Sequence, residues 1–153
     1  METIDALLHD IPFFAGLSDD QLELIAGCGS NQRLEAGEYL FREGEPADNF
    51  YFLRHGTVSL ELFVPARGPI TIETIDAGEV IGWSWLFPPY RWHFDARAVD
   101  LARLTKFDGA CLRGKCDEDH ELGYALMSRF AQIVIHSLQW TQFRLVDLYG
   151  RGD

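Results

Sequence analysis

The spacing of apolar residues divides the chain into a short helical start, a long segment of alternating residues and a helical end. Near the start, Ser18 is followed three positions later by Gln21, which is the spacing of a capping box, so a short helix is predicted over residues 18–28. The preceding residues 11–17 are mainly apolar but are broken by proline and glycine. We expect them to pack on the rest of the domain, because they are too short to be stable alone.

From about residue 33 to residue 107, short alternating runs are separated by turns marked with glycine. Between residues 58 and 64 the even-numbered positions are all apolar, whereas Ser59 and Glu61 fall on the other face, so we expect a strand with one buried and one exposed face. Strands at roughly ten-residue spacing are typical of a small antiparallel barrel or jelly roll. The predicted strands are residues 39–41, 50–53, 58–64, 70–75, 93–99 and 101–107.

The last third of the chain returns to helical spacing, and a long helix is predicted from about residue 118 to residue 149. One apolar stripe follows coiled-coil spacing with a single polar member: Met127, Ala131, Val134, Leu138, Thr141, Leu145 and Leu148. A neighbouring stripe consists of Leu122, Leu126, Phe130, Ile133 and Trp140. We expect one face of the helix to lie on the barrel and the other to meet a second copy in a parallel homodimer. Packing of both stripes within one subunit is the alternative.

Length and charge narrow the classes of function. A chain of 153 residues suits one domain, and 47% hydrophobic with 24% charged residues is close to the average for globular proteins. The net charge of −11 opposes contact with polyanions and anionic lipid surfaces. Neither direct nucleic-acid binding nor membrane association is therefore expected.

The first residues and the cysteines predict a cytoplasmic protein. The start of the chain carries acidic residues where a secretory signal requires basic ones, and no adequate apolar region follows. Cys28, Cys111 and Cys116 are odd in number and too few for a disulfide framework. We expect three free thiols, in agreement with a reducing compartment.

The stretch from Ala36 to Val58 contains an Ala-Gly-Glu turn, a second turn at Gly44, a strand with Tyr51 between two phenylalanines, and Gly56 at its end. These features resemble the cyclic nucleotide-binding domain, the eight-stranded jelly roll of the catabolite activator family and of protein kinase A regulatory subunits. The resemblance implies a mainly β fold with flanking helices, in which a double-stranded β-helix (jelly-roll) barrel lies between N-terminal helices and a long C-terminal helix. The corresponding single domain spans residues 1–153, with a helical segment at 1–30, the barrel at 31–116 and a dimerisation helix at 117–149.

Residues 77–98 lie where that family keeps its phosphate-binding cassette, and here the sequence departs from the family. Aligned without gaps from Gly82 to Ala98, the ribose-binding glutamate falls on Trp83 and the phosphate-binding arginine falls on Trp92. Indole offers one N–H donor and no charge. Cyclic AMP binding of the usual kind is therefore not expected.

Three interpretations of the cassette remain open. The candidate ligand-binding residues are Gly82, Trp83, Ser84, Trp85, Leu86, Arg91, Trp92 and His93. In the first interpretation, the aromatic rings of this segment line a cavity for an apolar or planar ligand. In the second, the rings fill the former nucleotide pocket, and the domain serves as an interaction scaffold. In the third interpretation Arg91, beside the lost arginine, supports weak or atypical binding of cyclic AMP or cyclic GMP.

The sequence thus predicts a non-catalytic regulatory module, a homodimeric sensor or adaptor that acts through a protein partner. In the activator family a helix-turn-helix domain follows the long helix, and this chain ends near that point. No cofactor or metal is expected, because Cys111, Cys116 and His120 lack the spacing of a zinc site. Asp95 and Arg97 share a strand face and are expected to form an exposed pair.

Overall fold

Two antiparallel sheets of four strands form the barrel, in the strand orders β1-β8-β3-β6 and β2-β7-β4-β5. The computed structural model describes residues 3–150, and the remaining residues of the predicted domain, 1, 2 and 151–153, lie outside the described residues. The strands are β1 (Gly29–Leu34), β2 (Tyr39–Phe41), β3 (Asn49–His55), β4 (Thr57–Val64), β5 (Gly68–Asp76), β6 (Val80–Ile81), β7 (Asp95–Ala98) and β8 (Ala102–Asp108). This arrangement confirms the predicted jelly roll with flanking helices.

Helices precede and follow the strands of the barrel along the chain. They are α1 (Ile4–His9), α2 (Asp19–Ala26), α3 (Gly109–Glu118) and α4 (His120–Gly150), with 3₁₀ turns at Pro12–Phe14 and Ser84–Leu86. The capping box of α2 is present, since Ser18 Oγ accepts from the Gln21 N–H and the Gln21 side chain accepts from the Ser18 N–H. The helix predicted over residues 18–28 is therefore confirmed as α2.

Asp119 separates α3 from α4, so the long helix begins two residues later than predicted. The backbone of Asp119 is extended, and Asp119 Oδ1 accepts a hydrogen bond from the Leu122 N–H in the first turn of α4. In the predicted stripe that begins at Leu122, the residues Leu122, Leu126 and Phe130 are fully buried, whereas Ile133 is partly buried and Trp140 is exposed. From Leu138 to the end of α4 every residue is exposed.

The alternation predicted for β4 is wrong in its second half. Glu61 is only 2% exposed, whereas Leu62 is exposed. Pairing of β4 with β7 ends where Glu61 faces Asp95, so Leu62 lies beyond that edge and pairs with β5 alone. Ser59, also expected on the exposed face, is buried as well.

The predicted exposed pair of Asp95 with Arg97 is also wrong. Asp95 is buried, accepts from the Glu43 N–H at 2.7 Å and lies 3.4 Å from Arg42 Nε. Arg97 instead donates to Glu61 Oε2 at 2.8 Å. The two side chains share a strand face, but each finds its partner on a neighbouring strand or turn, which one strand's sequence does not show.

The expectation of three free thiols is wrong, because Cys28 and Cys111 form a disulfide. Their sequence separation is 83 residues, yet their Cα atoms lie 5.9 Å apart. The fold brings them together because β1, which follows Cys28, pairs with β8, which leads into α3. Cys116 is the free cysteine of the described residues.

Candidate functional site

Two adjoining cavities lie between the barrel and α4, with volumes of about 250 and 260 Å³. Strands β4 and β5 form one wall, the cassette that follows β6 forms a second, and α4 forms the third. The residues that line both cavities are Leu60, Glu73, Trp83, Phe94 and Ser137. We call this space the barrel–helix cavity.

Apolar side chains supply most of the lining. In the first part they include Ile75, Val80 and Ile133, and in the second part Ile72, Val134 and Leu138. Several of these residues are the inward-facing members of predicted strands or stripes. Binding sites for small molecules commonly combine such walls with a few polar groups.

Trp92 lies in the barrel core and not along the cavity. Its ring is parallel to that of Phe41, with centroids 3.6 Å apart, and the residue is 4% exposed. It also packs against Gly82, where a Cβ atom would come within 2.7 Å of the indole. Gly82 has a φ of +97°, so both its backbone conformation and the neighbouring ring require glycine. The position aligned with the phosphate-binding arginine is thus filled by a packed ring.

Trp83 lines the cavity and takes the position aligned with the ribose-binding glutamate. It stacks on His93 with centroids 5.0 Å apart, and its buried indole N–H has no hydrogen-bond partner among residues 3–150. His93 Nδ1 is in turn 3.1 Å from the hydroxyl of Ser84, which is fully buried. Trp83 is therefore held by stacking, at the edge of a cavity that is mainly apolar.

The other candidate residues lie elsewhere. Trp85 is fully buried on the helical side, where it stacks on Phe50, and Leu86 lines a separate surface pocket. Arg91 is exposed and donates to the carbonyl of Gly44 at 2.9 Å. Of the eight predicted residues, the structure places Gly82 and Trp83 along the barrel–helix cavity.

Glu73 is a polar residue of the site that the sequence analysis missed. It is 7% exposed, it accepts a hydrogen bond from Ser137 Oγ at 3.1 Å, and its Oε2 lies 3.8 Å from His136 Nε2. Burial raises the pKa of the Glu73 carboxyl, while the hydrogen bond from Ser137 and the nearby imidazole partly oppose that shift. The sequence signal was ambiguous, because Ile75 shares the parity of Glu73 whereas Ile70 and Ile72 have the opposite parity. The register shift between β4 and β5 allows Glu73 and Ile75 to face inward together.

Two kinds of site find no support within the described residues. Residues 3–150 contain no group of three or more His, Cys, Asp or Glu side chains arranged to hold a metal ion. Across the same range, no helix combines the length and apolar character needed to cross a membrane.

Comparisons with known proteins agree with this architecture. The profile of the cyclic nucleotide-binding domain matches residues 31–119. A candidate cyclic nucleotide-binding protein from Geobacter metallireducens GS-15 has a similar structure, with 31% identity, a TM-score of 0.78, and coverage of 90% of this chain and 99% of that one. A cyclic nucleotide-binding domain from Methylobacillus flagellatus KT gives the same TM-score at 18% identity, over 95% of this chain and 82% of that one.

Among curated proteins, a candidate potassium channel of Rhodopseudomonas palustris is 30% identical over 108 residues, which are 71% of this chain and 26% of the channel. The chain thus spans about a quarter of the length of that relative. The match of the family profile over more than half of the chain, together with the strand order and the cassette after β6, leads to one assignment. The chain belongs to the cyclic nucleotide-binding domain family, a family of regulatory domains.

Proposed function

We propose that this chain is a non-catalytic regulatory module that binds a small, mainly apolar ligand in the barrel–helix cavity and does not bind cyclic nucleotides in the usual way. The stack of Trp92 on Phe41 carries the exclusion of cyclic nucleotides, because it fills the position aligned with the phosphate-binding arginine with an uncharged ring. Trp83 likewise stands in place of the ribose-binding carboxylate.

The chemistry of the cavity disfavours a cyclic phosphate. Each charge-assisted hydrogen bond to a phosphate contributes about 1.5–3 kcal/mol, and both polar anchors of the family are replaced by indoles. The buried ionisable group that faces the cavity is Glu73, an acid, which would repel a phosphate. Arg91 offers no direct substitute, since its guanidinium is bound to the Gly44 carbonyl outside the cavity.

The position of α4 suggests how binding would be transmitted. Ile133 and Ser137 of α4 line the cavity, so a ligand would contact this helix directly. Beyond the cavity the same helix continues into exposed apolar residues such as Leu145 and Leu148. We propose that this surface forms a homodimer and that the ligand changes how the dimer meets a protein partner.

The scaffold interpretation is a second candidate. The packed ring of Trp92 favours it, because part of the former pocket is filled. The barrel–helix cavity favours the sensor, because Trp83 and Phe94 still leave space beside α4. The two candidates differ in whether any small molecule stabilises the fold.

Calorimetry and thermal unfolding test the proposal. Cyclic AMP and cyclic GMP are titrated against the parent and Arg91→Ala, and tryptophol, a neutral planar alcohol, is titrated against the parent, Ile133→Trp and Ile135→Trp. We expect no tight binding of either nucleotide. Tryptophol should stabilise the parent, and Ile133→Trp, which fills the cavity, should abolish this effect, whereas the matched change at exposed Ile135 should not.

Two results would overturn the proposal. Tight binding of a cyclic nucleotide that is lost in Arg91→Ala would show that the atypical nucleotide interpretation is correct. Failure of tryptophol and of a metabolite extract to stabilise the parent would instead leave the scaffold as the function.

A further inference from the structure

Glu73, the buried acidic residue of the barrel–helix cavity, has one oxygen that lacks a close donor among residues 3–150. Glu73 Oε1 accepts from Ser137 Oγ at 3.1 Å, whereas Oε2 lies 3.8 Å from His136 Nε2, which is beyond hydrogen-bonding distance. A buried carboxylate normally accepts several hydrogen bonds. Oε2 is therefore the polar atom of the cavity that is best placed to receive a donor from a ligand.

The other charged side chains along the cavity are committed or exposed. All three side-chain nitrogens of Arg129 donate to main-chain carbonyls, those of Phe13, Ala15 and Ala125. Glu79 is exposed and uses one carboxylate oxygen to accept from the Asp76 N–H. The charge of Glu79 adds to the negative potential near Glu73, whereas the side-chain nitrogens of Arg129 are held by carbonyls of the N-terminal segment and of α4.

His136 does not neutralise Glu73 in a fixed pair. Its side chain is 60% exposed, and the 3.8 Å separation makes no hydrogen bond. A ligand cation that entered the cavity would be desolvated by the apolar walls and would reach the carboxylate in a medium of low polarity. Such an arrangement favours a positive group over a neutral one and a neutral group over an anion.

We propose that the barrel–helix cavity selects a small aromatic or otherwise apolar ligand that carries an amine, with Glu73 as its counter-ion. This inference rests on the proposed function, since it requires the cavity to bind a small molecule. It reverses the charge preference of a cyclic phosphate pocket: the ammonium group binds Oε2 of Glu73, and the apolar body lies along Trp83 and Phe94.

Three probes that share an indole ring test the inference. Tryptamine carries an ammonium group, tryptophol carries a hydroxyl group, and indole-3-acetate carries a carboxylate. Each is titrated by calorimetry into the parent, into Glu73→Gln and into Glu79→Gln. The glutamine at position 73 retains an acceptor for Ser137 but removes the charge, and Glu79→Gln removes the exposed carboxylate at the cavity edge.

The parent should bind tryptamine about tenfold or more tightly than tryptophol, with indole-3-acetate the weakest. Glu73→Gln should abolish this preference and leave the affinity for tryptophol nearly unchanged. Glu79→Gln should change the preference by less than about fivefold, because an exposed charge contributes little.

Equal affinity for the three probes, or a preference for indole-3-acetate, would overturn the amine selectivity and leave the proposed sensor function standing. Binding of tryptophol with no binding of tryptamine would have the same meaning. If none of the three binds at millimolar concentration, the amine inference is wrong, and the metabolite extract described above decides separately whether the cavity takes any ligand. A preference for tryptamine that survives in Glu73→Gln would also overturn the assignment, because the carboxylate would not be its source.

Discussion

Trp92 lies parallel to Phe41, with an angle of 6° between the ring planes and 3.6 Å between the centroids. The stack belongs to the core inside the barrel, together with Tyr51 and Phe94. In a cyclic nucleotide-binding domain of the usual kind, the corresponding side chain would be an arginine facing the ligand. At the position that the gapless alignment pairs with this arginine, the side chain therefore packs in the core of the barrel.

Replacing the stacked indole tests this change of role. Trp92→Ala should lower the free energy of unfolding by about 3–5 kcal/mol, because it removes a buried aromatic ring and leaves a cavity. Trp83→Ala should cost less, since Trp83 is only partly buried. Urea denaturation measures both values, with Trp140→Ala on the exposed part of α4 as the matched control. Unchanged stability of Trp92→Ala would contradict a role in the core.

The disulfide gives a second prediction. Cys28→Ser should lower the free energy of unfolding by about 2–4 kcal/mol without reductant, because the bond closes a loop with a sequence separation of 83 residues. With reductant the parent should lose most of this advantage over the variant. Thiol titration of the unfolded, unreduced chain should detect only Cys116, and Cys116→Ser serves as the control. Detection of three thiols would contradict the bond.

The pH dependence of stability should depend on Glu73. Burial raises the pKa of this carboxyl in the folded protein, so the folded state holds the proton more tightly than the unfolded chain. Stability therefore falls as pH rises from the ordinary carboxyl value through the raised pKa. Glu73→Gln lacks this loss, so its stability relative to the parent should increase over that range.

Denaturation of the parent and of Glu73→Gln at a series of pH values on the acid side of neutrality measures the effect. Glu79→Gln, which removes an exposed carboxyl of the same cavity, is the matched control and should run nearly parallel to the parent, because the charge of Glu79 is the smallest contribution to the raised pKa of Glu73. A constant difference between Glu73→Gln and the parent across the series would show that Glu73 has no raised pKa.

The apolar stripe of α4 that runs from Met127 to Leu148 gives the fourth prediction. If it forms the proposed homodimer, Leu138→Glu should convert dimer to monomer, because Leu138 is 55% exposed in the single chain and would place a charge in the interface. Gln139→Glu is the matched control, because it adds the same charge at the next residue, which lies outside the predicted stripe, and it should remain dimeric. Analytical ultracentrifugation compares the variants, and a parent that sediments as a monomer would end the proposal.

Local signals in the chain were sufficient for most of its elements. The spacing from Ser18 to Gln21 predicts α2, and the short apolar runs between glycine turns predict six of the eight strands of the jelly roll, all except β1 and β6. These predictions succeed because capping and turn chemistry are properties of residues close together in sequence. The gapless alignment also predicts that Trp83 and Trp92 replace the two polar anchors of the family.

Tertiary structure decided which groups meet. The sequence indicated neither the bond between Cys28 and Cys111 nor the partners of Asp95 and Arg97, because each contact joins elements far apart in the chain. It also did not show that Glu73 would lie against Ser137, since only the packing of α4 on β5 creates the cavity they share. Sequence thus determined the family and most of the elements, and it predicts the loss of the ribose and phosphate anchors. The charge of the remaining cavity was decided by long-range packing, which places a buried acid where its neighbours in sequence predict only a strand.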